Sequence, residues 1–160
     1  MNSYSLLHPN IQENLINSGF RQLTPIQEAA IPSILDKNNV LLIAGTSGGK
    51  TEAALLPVLT LISEENHISI KVIYIAPLKA LLNNLELRIE KYADWVNKSV
   101  FKWHGDVSHS KKVKALLNPV DILIITPESI EVMLISKNIN NFILRETLFP
   151  EPRKKKLVII

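Results

Sequence analysis

Residues Asn39 to Thr51 read NVLLIAGTSGGKT, and no other stretch constrains what this chain can fold into as strongly. Val40 to Ile43 form an apolar run of the kind that fills a buried strand, small residues follow, and Lys50-Thr51 open a second apolar segment. The predicted order is strand, loop, helix. Ala44-x-x-x-x-Gly49-Lys50-Thr51 fits the phosphate-binding loop with Ala standing at the first glycine. A triphosphate needs backbone N–H groups pointing inward, and Gly45, Gly48 and Gly49 let the chain curl closely around it. Lys50 is placed to reach the β- and γ-phosphates, and the Thr51 hydroxyl to ligate Mg²⁺ at the positive end of the following helix.

With 160 residues and 46% hydrophobic content, the chain can bury the core of one domain and is too short for two large ones. It has no cysteine, which excludes a disulfide scaffold, a thiolate metal site and a Cys nucleophile, and fits a reducing compartment. His8, His67, His104 and His109 lack paired metal-ligand spacing. The N-terminal MNSYSLLHPN has neither the basic start nor the apolar core of a secretory signal. The most apolar segment, Ala53 to Ile62, is about half the ~20 residues that cross a bilayer. A soluble, cytoplasmic protein with no membrane partner is expected. The formal net charge of +3 is compatible with an anionic polymer as partner, though so mild an excess is also common on solvated surfaces.

Apolar spacing predicts a short helix over Pro9 to Ser18, ended by Gly19. Thr24-Pro25-Ile26-Gln27 reads as a second helix start, with Thr24 as N-cap, Pro25 first in the helix and Gln27 closing a capping box. That helix runs to about Leu35, and Thr51 to about Ser63 form one apolar nearly all round and therefore buried. Beyond it the pattern alternates. Strands are predicted at Ile70–Ala76, Ser99–His104, Val120–Thr126 and Leu157–Ile160. Helices are predicted from Leu78 to Val96, over the basic segment Ser108–Leu117, and from Pro127 to about Ser136. Lys137 to Lys156 has no clear period and reads as a loop outside the core; its run Arg153 to Lys156 could touch nucleic acid but is more often a solvated loop. Tyr92, Trp95, Phe101 and Trp103 could form a stacking platform, but their positions on a helical face and in a strand read as core or partial core. Strands apolar on both faces imply an α/β fold, a three-layer parallel sheet with helices on both faces.

In such a sheet, ligands gather beyond the carboxyl ends of the strands. The segments found there are Ala76-Pro77-Leu78-Lys79, His104-Gly105-Asp106 and Thr126-Pro127-Glu128-Ser129. With the phosphate loop, and with Phe20 through Gln27 before it, they resemble the first half of a superfamily-two nucleic-acid helicase. The order and spacing are similar to the DEAD/DEAH-type ATPases, and within them to the Lhr-like branch, to which GTSGGKTEAA (Gly45 to Ala54) contributes much. The resemblance covers nearly the whole chain.

It implies a RecA-like P-loop NTPase fold, with N-terminal helices and a Q-motif-like segment over residues 1–38 and part of a first RecA-like ATP-binding domain over 39–160. It also implies ATP and Mg²⁺ as cofactors, held by Gly45, Thr46, Ser47, Gly48, Gly49, Lys50 and Thr51, with Lys50 and Thr51 serving catalysis and Thr51 the metal. Gln27 takes the Q-motif position and would hydrogen-bond the adenine edge, with Phe20 stacking and Thr24 nearby; the same residues also suit a capping box and a core position. Pro77, Leu78 and Lys79 match motif Ia, Gly105 and Asp106 the loop after it, and Thr126, Pro127, Glu128 and Ser129 motif Ib. These loops would hold the backbone of one DNA or RNA strand without reading bases. Taken alone, Thr126 to Ser129 is also an ordinary helix start.

Two departures stand out. The family loop reads Thr-Gly-Ser-Gly-Lys-Thr, whereas Thr46-Ser47-Gly48-Gly49-Lys50-Thr51 exchanges Gly and Ser in the middle, so Ser47 falls where positive φ favours glycine. Weaker nucleotide binding is expected from that. The sequence also stops after the strand that precedes the family's Asp-Glu motif, and a second RecA-like domain with arginine fingers is missing, so poor turnover by this chain alone is expected. The function expected is that of an ATP- and nucleic-acid-binding part of an ATP-dependent DNA or RNA helicase or translocase. The alternatives are a non-catalytic nucleic-acid or protein-binding module with a vestigial nucleotide site, and a different P-loop enzyme such as a small-molecule kinase.

Overall fold

A computed structural model describes residues 2–45, 48–66, 70–76, 79–135 and 157–159. The chain falls into two compact units, one formed by Met1–Glu65 with Lys91–Asn97 and the other by Asn66–Glu90 with Lys98–Ile160.

The first unit is helical. A 3-10 turn, Ser3–Leu6, precedes α1, Pro9–Asn17. The sequence rules for helix ends hold at α1: Gly19 has φ +80, its N–H donates to Ile16 O at 2.9 Å, and the Phe20 N–H donates to Leu15 O at 3.0 Å, a Schellman stop. His8 caps the other end, its Nδ1 accepting the Asn10 N–H at 3.2 Å. Helix α2, Pro25–Leu35, starts on the Thr24–Gln27 capping box, as the residues require. Helix α3, Lys50–Ile62, packs along α2 and buries Ala53, Leu55 to Leu59 and Ile62, matching the all-round apolar pattern. Each fully buried Leu or Ile contributes about 1.5–3 kcal/mol relative to exposure. The 3-10 turn is tied to α2, where Ser3 N–H reaches Glu28 Oε2 at 3.0 Å and Ser3 Oγ reaches Glu28 O at 2.8 Å. Hydrogen bonds from Ser3 hold the Glu28 carboxyl below its usual range.

One element departs from expectation. Val40 to Ile43 form no strand, and Leu41 and Ile43 are each 84% exposed. An apolar run becomes a strand only by joining a ladder, and none of the described strands pairs with it.

The second unit carries the sheet: β1 Val72–Ile75, β2 Val100–Trp103, β3 Ile122–Ile125 and β4 Leu157–Ile159, all parallel, in the order β2-β3-β1-β4. Each strand is shorter than its apolar run, because only the residues that share a register are laddered. β3 is central and buried throughout, which explains its unbroken apolar run ILII. Ile70, Ile73, Trp103, Leu123, Ile125 and Met133 form its core cluster. Helix α4 spans Lys79–Asp94, α5 His109–Leu117 and α6 Pro127–Ile135. Tyr92 and Trp103 are buried and Trp95 and Phe101 half-buried, in keeping with core and partial-core positions. The segment Lys137 to Lys156 lies outside the described residues.

At the amino ends of the strands, Asp121 ties β1, β2 and β3 together. Its carboxylate bonds the Lys71 ammonium, which is only 4% exposed, and accepts from the Ser99 N–H and Oγ at 2.8 Å each. Its carbonyl takes the Lys71 and Val72 N–H groups at 2.8 and 3.0 Å. Burial pushes the Asp121 carboxyl up, but the bonds from Lys71 and Ser99 outweigh it and hold the group below its usual range. A carboxyl depressed in the folded state stabilises fully above its unfolded pKa of about 3.9 and loses that contribution as pH falls through the lower folded value. Urea unfolding across pH 2–7 is expected to show this acid loss in the unaltered chain and a shallower one in Asp121→Asn. At neutral pH that variant, which leaves Lys71 buried and unpaired, is expected to lose about 3 kcal/mol.

Candidate nucleotide and nucleic-acid sites

The described part of the phosphate loop meets the start of α2 through side-chain bonds. Gly49 is the N-cap of α3 with φ +79, a left-handed conformation that suits glycine. A Cβ there would lie 2.5 Å from Gln27 Nε2, so the Gln27 amide would have to shift to admit it. Gln27, 1% exposed, accepts the Thr24 N–H through Oε1 at 2.9 Å and donates through Nε2 to Gly49 O at 3.3 Å. The Thr24 hydroxyl donates to Gly48 O at 3.2 Å. Thr24, Gln27, Gly48 and Gly49 are therefore one hydrogen-bonded group.

Lys50 opens α3, and its ammonium donates to Ala44 O at 2.6 Å and Gly45 O at 2.8 Å. The Gly48 N–H also donates to Gly45 O, at 3.2 Å. The loop is thus curled on itself, with its lysine pointing back over its own carbonyls. Thr51 follows in the first turn, half-buried. Thr46 and Ser47 lie outside the described residues. The donor set suits a nucleotide phosphate with its cation: an ammonium, small residues that allow close approach, a hydroxyl beside it and a helix amino end.

Phe20 takes no part in these hydrogen bonds. With Tyr4, Arg21, Gln22, Leu23 and Glu28 it lines a cavity of about 330 Å³ in the same unit, which neither Thr24 nor Gln27 lines. Glu52 is a residue that motif reasoning passed over. It is 5% exposed in the first turn of α3, and Tyr92 Oη donates to its Oε1 at 3.0 Å. The available signal was an acid inside an otherwise apolar helix directly after Lys50-Thr51.

The second group of candidates lies on the sheet unit. The register sets Ile75 beside Ile125 and Ile125 beside Trp103, so the segments that follow β1, β3 and β2 leave the sheet side by side in that order. Pro77 and Leu78 lie outside the described residues, and Lys79 opens α4. Thr126 is 3% exposed and caps α6, its Oγ1 bonded to Ser129 Oγ at 2.9 Å and accepting the Ser129 N–H at 3.4 Å. Pro127 starts that helix and Glu128 is exposed in its first turn. Gly105 and Asp106 form an exposed turn after β2, in which the Asp106 N–H donates to His104 Nδ1 at 3.3 Å. Among the described residues no cluster of three or more His, Cys, Asp or Glu side chains could hold a metal ion.

These features converge with what the chain is similar to. The family profile described as DEAD/DEAH box helicase matches residues 24–149. An ATP-dependent helicase Lhr-Core of Sulfolobus acidocaldarius is 40% identical over 131 residues, covering 73% of this chain and 15% of the relative. Its counterpart in Saccharolobus solfataricus is 34% identical over 146 residues, covering 83% and 17%. Among solved structures, Mycobacterium smegmatis helicase Lhr bound to ssDNA and AMP-PNP superposes with a TM-score of 0.79 at 28% identity, over 94% of this chain and 20% of that one. The chain belongs to the DEAD/DEAH box helicase family, and its sequence and RecA-like α/β fold match the N-terminal region of the Lhr-like branch. It spans about a sixth of the length of these curated relatives.

Substitution at Gly49 tests the junction of α2 with the loop. Gly49→Ala places Cβ 2.5 Å from Gln27 Nε2 at φ +79, whereas a Cβ at Gly45 meets nothing within 4 Å. The left-handed backbone alone costs an alanine about 1–2 kcal/mol. Thermal unfolding is expected to show a Tm several degrees lower for Gly49→Ala and little change for Gly45→Ala, since 1 kcal/mol moves Tm by about 2–4 °C at this size.

Proposed function

We propose that this chain is the ATP-binding and nucleic-acid-binding N-terminal part of an ATP-dependent DNA or RNA helicase or translocase. In this proposal residues 1–38 carry the Q-motif-like segment and 39–160 the first part of a RecA-like domain. The observation that carries it is the contact between the two: Thr24 and Gln27 bond the carbonyls of Gly48 and Gly49 in the phosphate loop. A nucleotide with its base at the start of α2 would thereby have its phosphates at the start of α3.

The residues give each part of the nucleotide a chemically suitable partner. Lys50 already has its ammonium on the Ala44 and Gly45 carbonyls, and phosphate oxygens would take their place. Gly45, Thr46, Ser47, Gly48 and Gly49 would supply N–H groups or room for them, and Thr51 a hydroxyl for Mg²⁺. A glutamine amide has two donor hydrogens and two acceptor lone pairs. Gln27 uses one of each within the protein, which leaves one of each for the adenine edge, with Phe20 as stacking partner. Bound ATP with Mg²⁺ would supply the phosphoryl group whose hydrolysis drives movement along the strand. Arginine fingers on a second RecA-like domain can add about 10³ or more in rate, so we assign little turnover to these 160 residues by themselves.

On the sheet unit, the proposed strand contacts follow β1, β3 and β2: Pro77, Leu78 and Lys79, then Thr126 to Ser129, then Gly105 and Asp106. Such contacts hold phosphate and sugar and carry no base information. The Asp106 carboxylate repels phosphate, so at that turn the approach falls to Gly105. The proposed setting is cytoplasmic; the absence of cysteine supports it.

Titration of the chain with a fluorescent ATP analogue in the presence of Mg²⁺ tests the nucleotide half. Lys50→Ala removes charge-assisted bonds of about 1.5–3 kcal/mol, so its Kd is expected to rise by roughly tenfold or more. Equal affinity in the two proteins would sink the assignment.

A further inference from the structure

Beyond the Gly105–Asp106 turn the chain enters α5, whose charge sets it apart. It contains Lys111, Lys112 and Lys114 with His109, and no acidic residue occurs from Val107 to Val120. Each of the other α-helices carries at least one Asp or Glu. The three lysines divide by position. Lys112 is turned inward: its ammonium lies 5.6 Å from the Trp103 ring centroid and 3.4 Å from Gly105 O. That pair of contacts pins the first turn of α5 to the end of β2 and to the turn that follows it.

Lys111 and Lys114 are left exposed. Spaced i, i+3, they share one face of the helix, and neither has an ion-pair partner among the described residues. The acids that flank the segment are already engaged. Asp106 lies 3.7 Å from His104 Nδ1, and Asp121 is held by Lys71 and Ser99. The face therefore presents uncompensated positive charge at a fixed place.

That place is the carboxyl end of β2, where Lys112 meets Trp103 and Gly105 O. In the order β2-β3-β1-β4, β2 is outermost, and α5 follows it. A strand lying across the ends of β1, β3 and β2 would run off the sheet at α5.

We propose that the exposed face of α5, through Lys111 and Lys114, binds the sugar-phosphate backbone of single-stranded nucleic acid where the strand leaves the Gly105–Asp106 turn. The proposal rests on the nucleic-acid reading of the three loops and extends the track past β2. Two point charges on one exposed face suit a flexible polyanion and make no contact that could read a base, so the added binding is independent of sequence.

Fluorescence anisotropy of the full chain with labelled 15-nucleotide oligo(dT) and oligo(U), over a range of KCl, tests it. Each phosphate neutralised on a single strand contributes about 0.7 to the slope of log K against log salt. Lys111→Glu/Lys114→Glu is expected to bind at least roughly tenfold more weakly at low salt and to reduce the slope by about 1.4. Lys37→Glu/Lys91→Glu, the same charge change on exposed residues of the other unit, is expected to change the slope little. Lys111→Gln/Lys114→Gln, milder and with circular dichroism as the check on folding, is expected to show the same slope change with a smaller loss of affinity. If the α5 variants match the control pair, α5 is off the track and the loop assignment stands. If the unaltered chain binds neither oligonucleotide, the nucleic-acid reading fails and takes the α5 proposal with it.

Discussion

The junction between the helical segment and the phosphate loop is bonded by two side chains, Thr24 and Gln27, and Gln27 is the more deeply engaged. Its amide bonds the Thr24 N–H on one side and the Gly49 carbonyl on the other, and it is almost fully buried between them. A buried amide deprived of its partners would cost about 1–3 kcal/mol, so the α2 start and the α3 start hold each other in place. Glycine at position 49 suits this arrangement. The left-handed φ ends the loop there, and the space a Cβ would need is already taken by Gln27. The capping box that starts α2 and the link to the loop are the same set of atoms, so a structural and a functional account of Gln27 do not compete.

On the sheet unit the polar tie among strands lies at their amino ends, and the candidate segments follow their carboxyl ends. At the amino ends, Asp121 gathers the starts of β1, β2 and β3 through a buried ammonium, a hydroxyl and backbone N–H groups. At the carboxyl ends, the segments after the same strands are turns and helix starts held by short local bonds, such as Thr126 with Ser129 and Asp106 with His104. Parallel strands put all these segments at one edge, the arrangement in which α/β proteins place their ligands.

In the phosphate loop, the lysine that would grip phosphate bonds the carbonyls of Ala44 and Gly45. An ammonium near a partly buried loop has to be satisfied by some acceptor, and the nearest are the loop's own carbonyls. Phosphate oxygens are stronger acceptors than carbonyls because they are charged, so the exchange favours binding. The glycines give the loop the freedom to make it.

Most of the fold was legible in the sequence. Helix limits came from local chemistry that needs no tertiary context: Gly19 ending α1, Thr24 and Pro25 starting α2, and Gly49 before α3. The strands were legible as apolar runs, and their alternation with helices implied a parallel sheet. The order of functional segments was legible too, because a family resemblance depends on residues and spacing. What the sequence could not determine was which segments meet. Val40 to Ile43 is as apolar as β3, yet it joins no described ladder, since pairing depends on a neighbour and not on composition. Nothing in the linear pattern shows that Gln27 bonds Gly49, that Tyr92 bonds Glu52, that Phe20 lines a cavity with Tyr4 and Glu28, or that Lys112 turns inward while Lys111 and Lys114 stay exposed. The sequence by itself determined the family and most element types, and named the candidates for phosphate contact, because these follow from side-chain chemistry and local backbone preference. The tertiary structure decided the strand order, the partners of buried polar groups and the direction of each charge, because those depend on contacts between residues far apart in the chain.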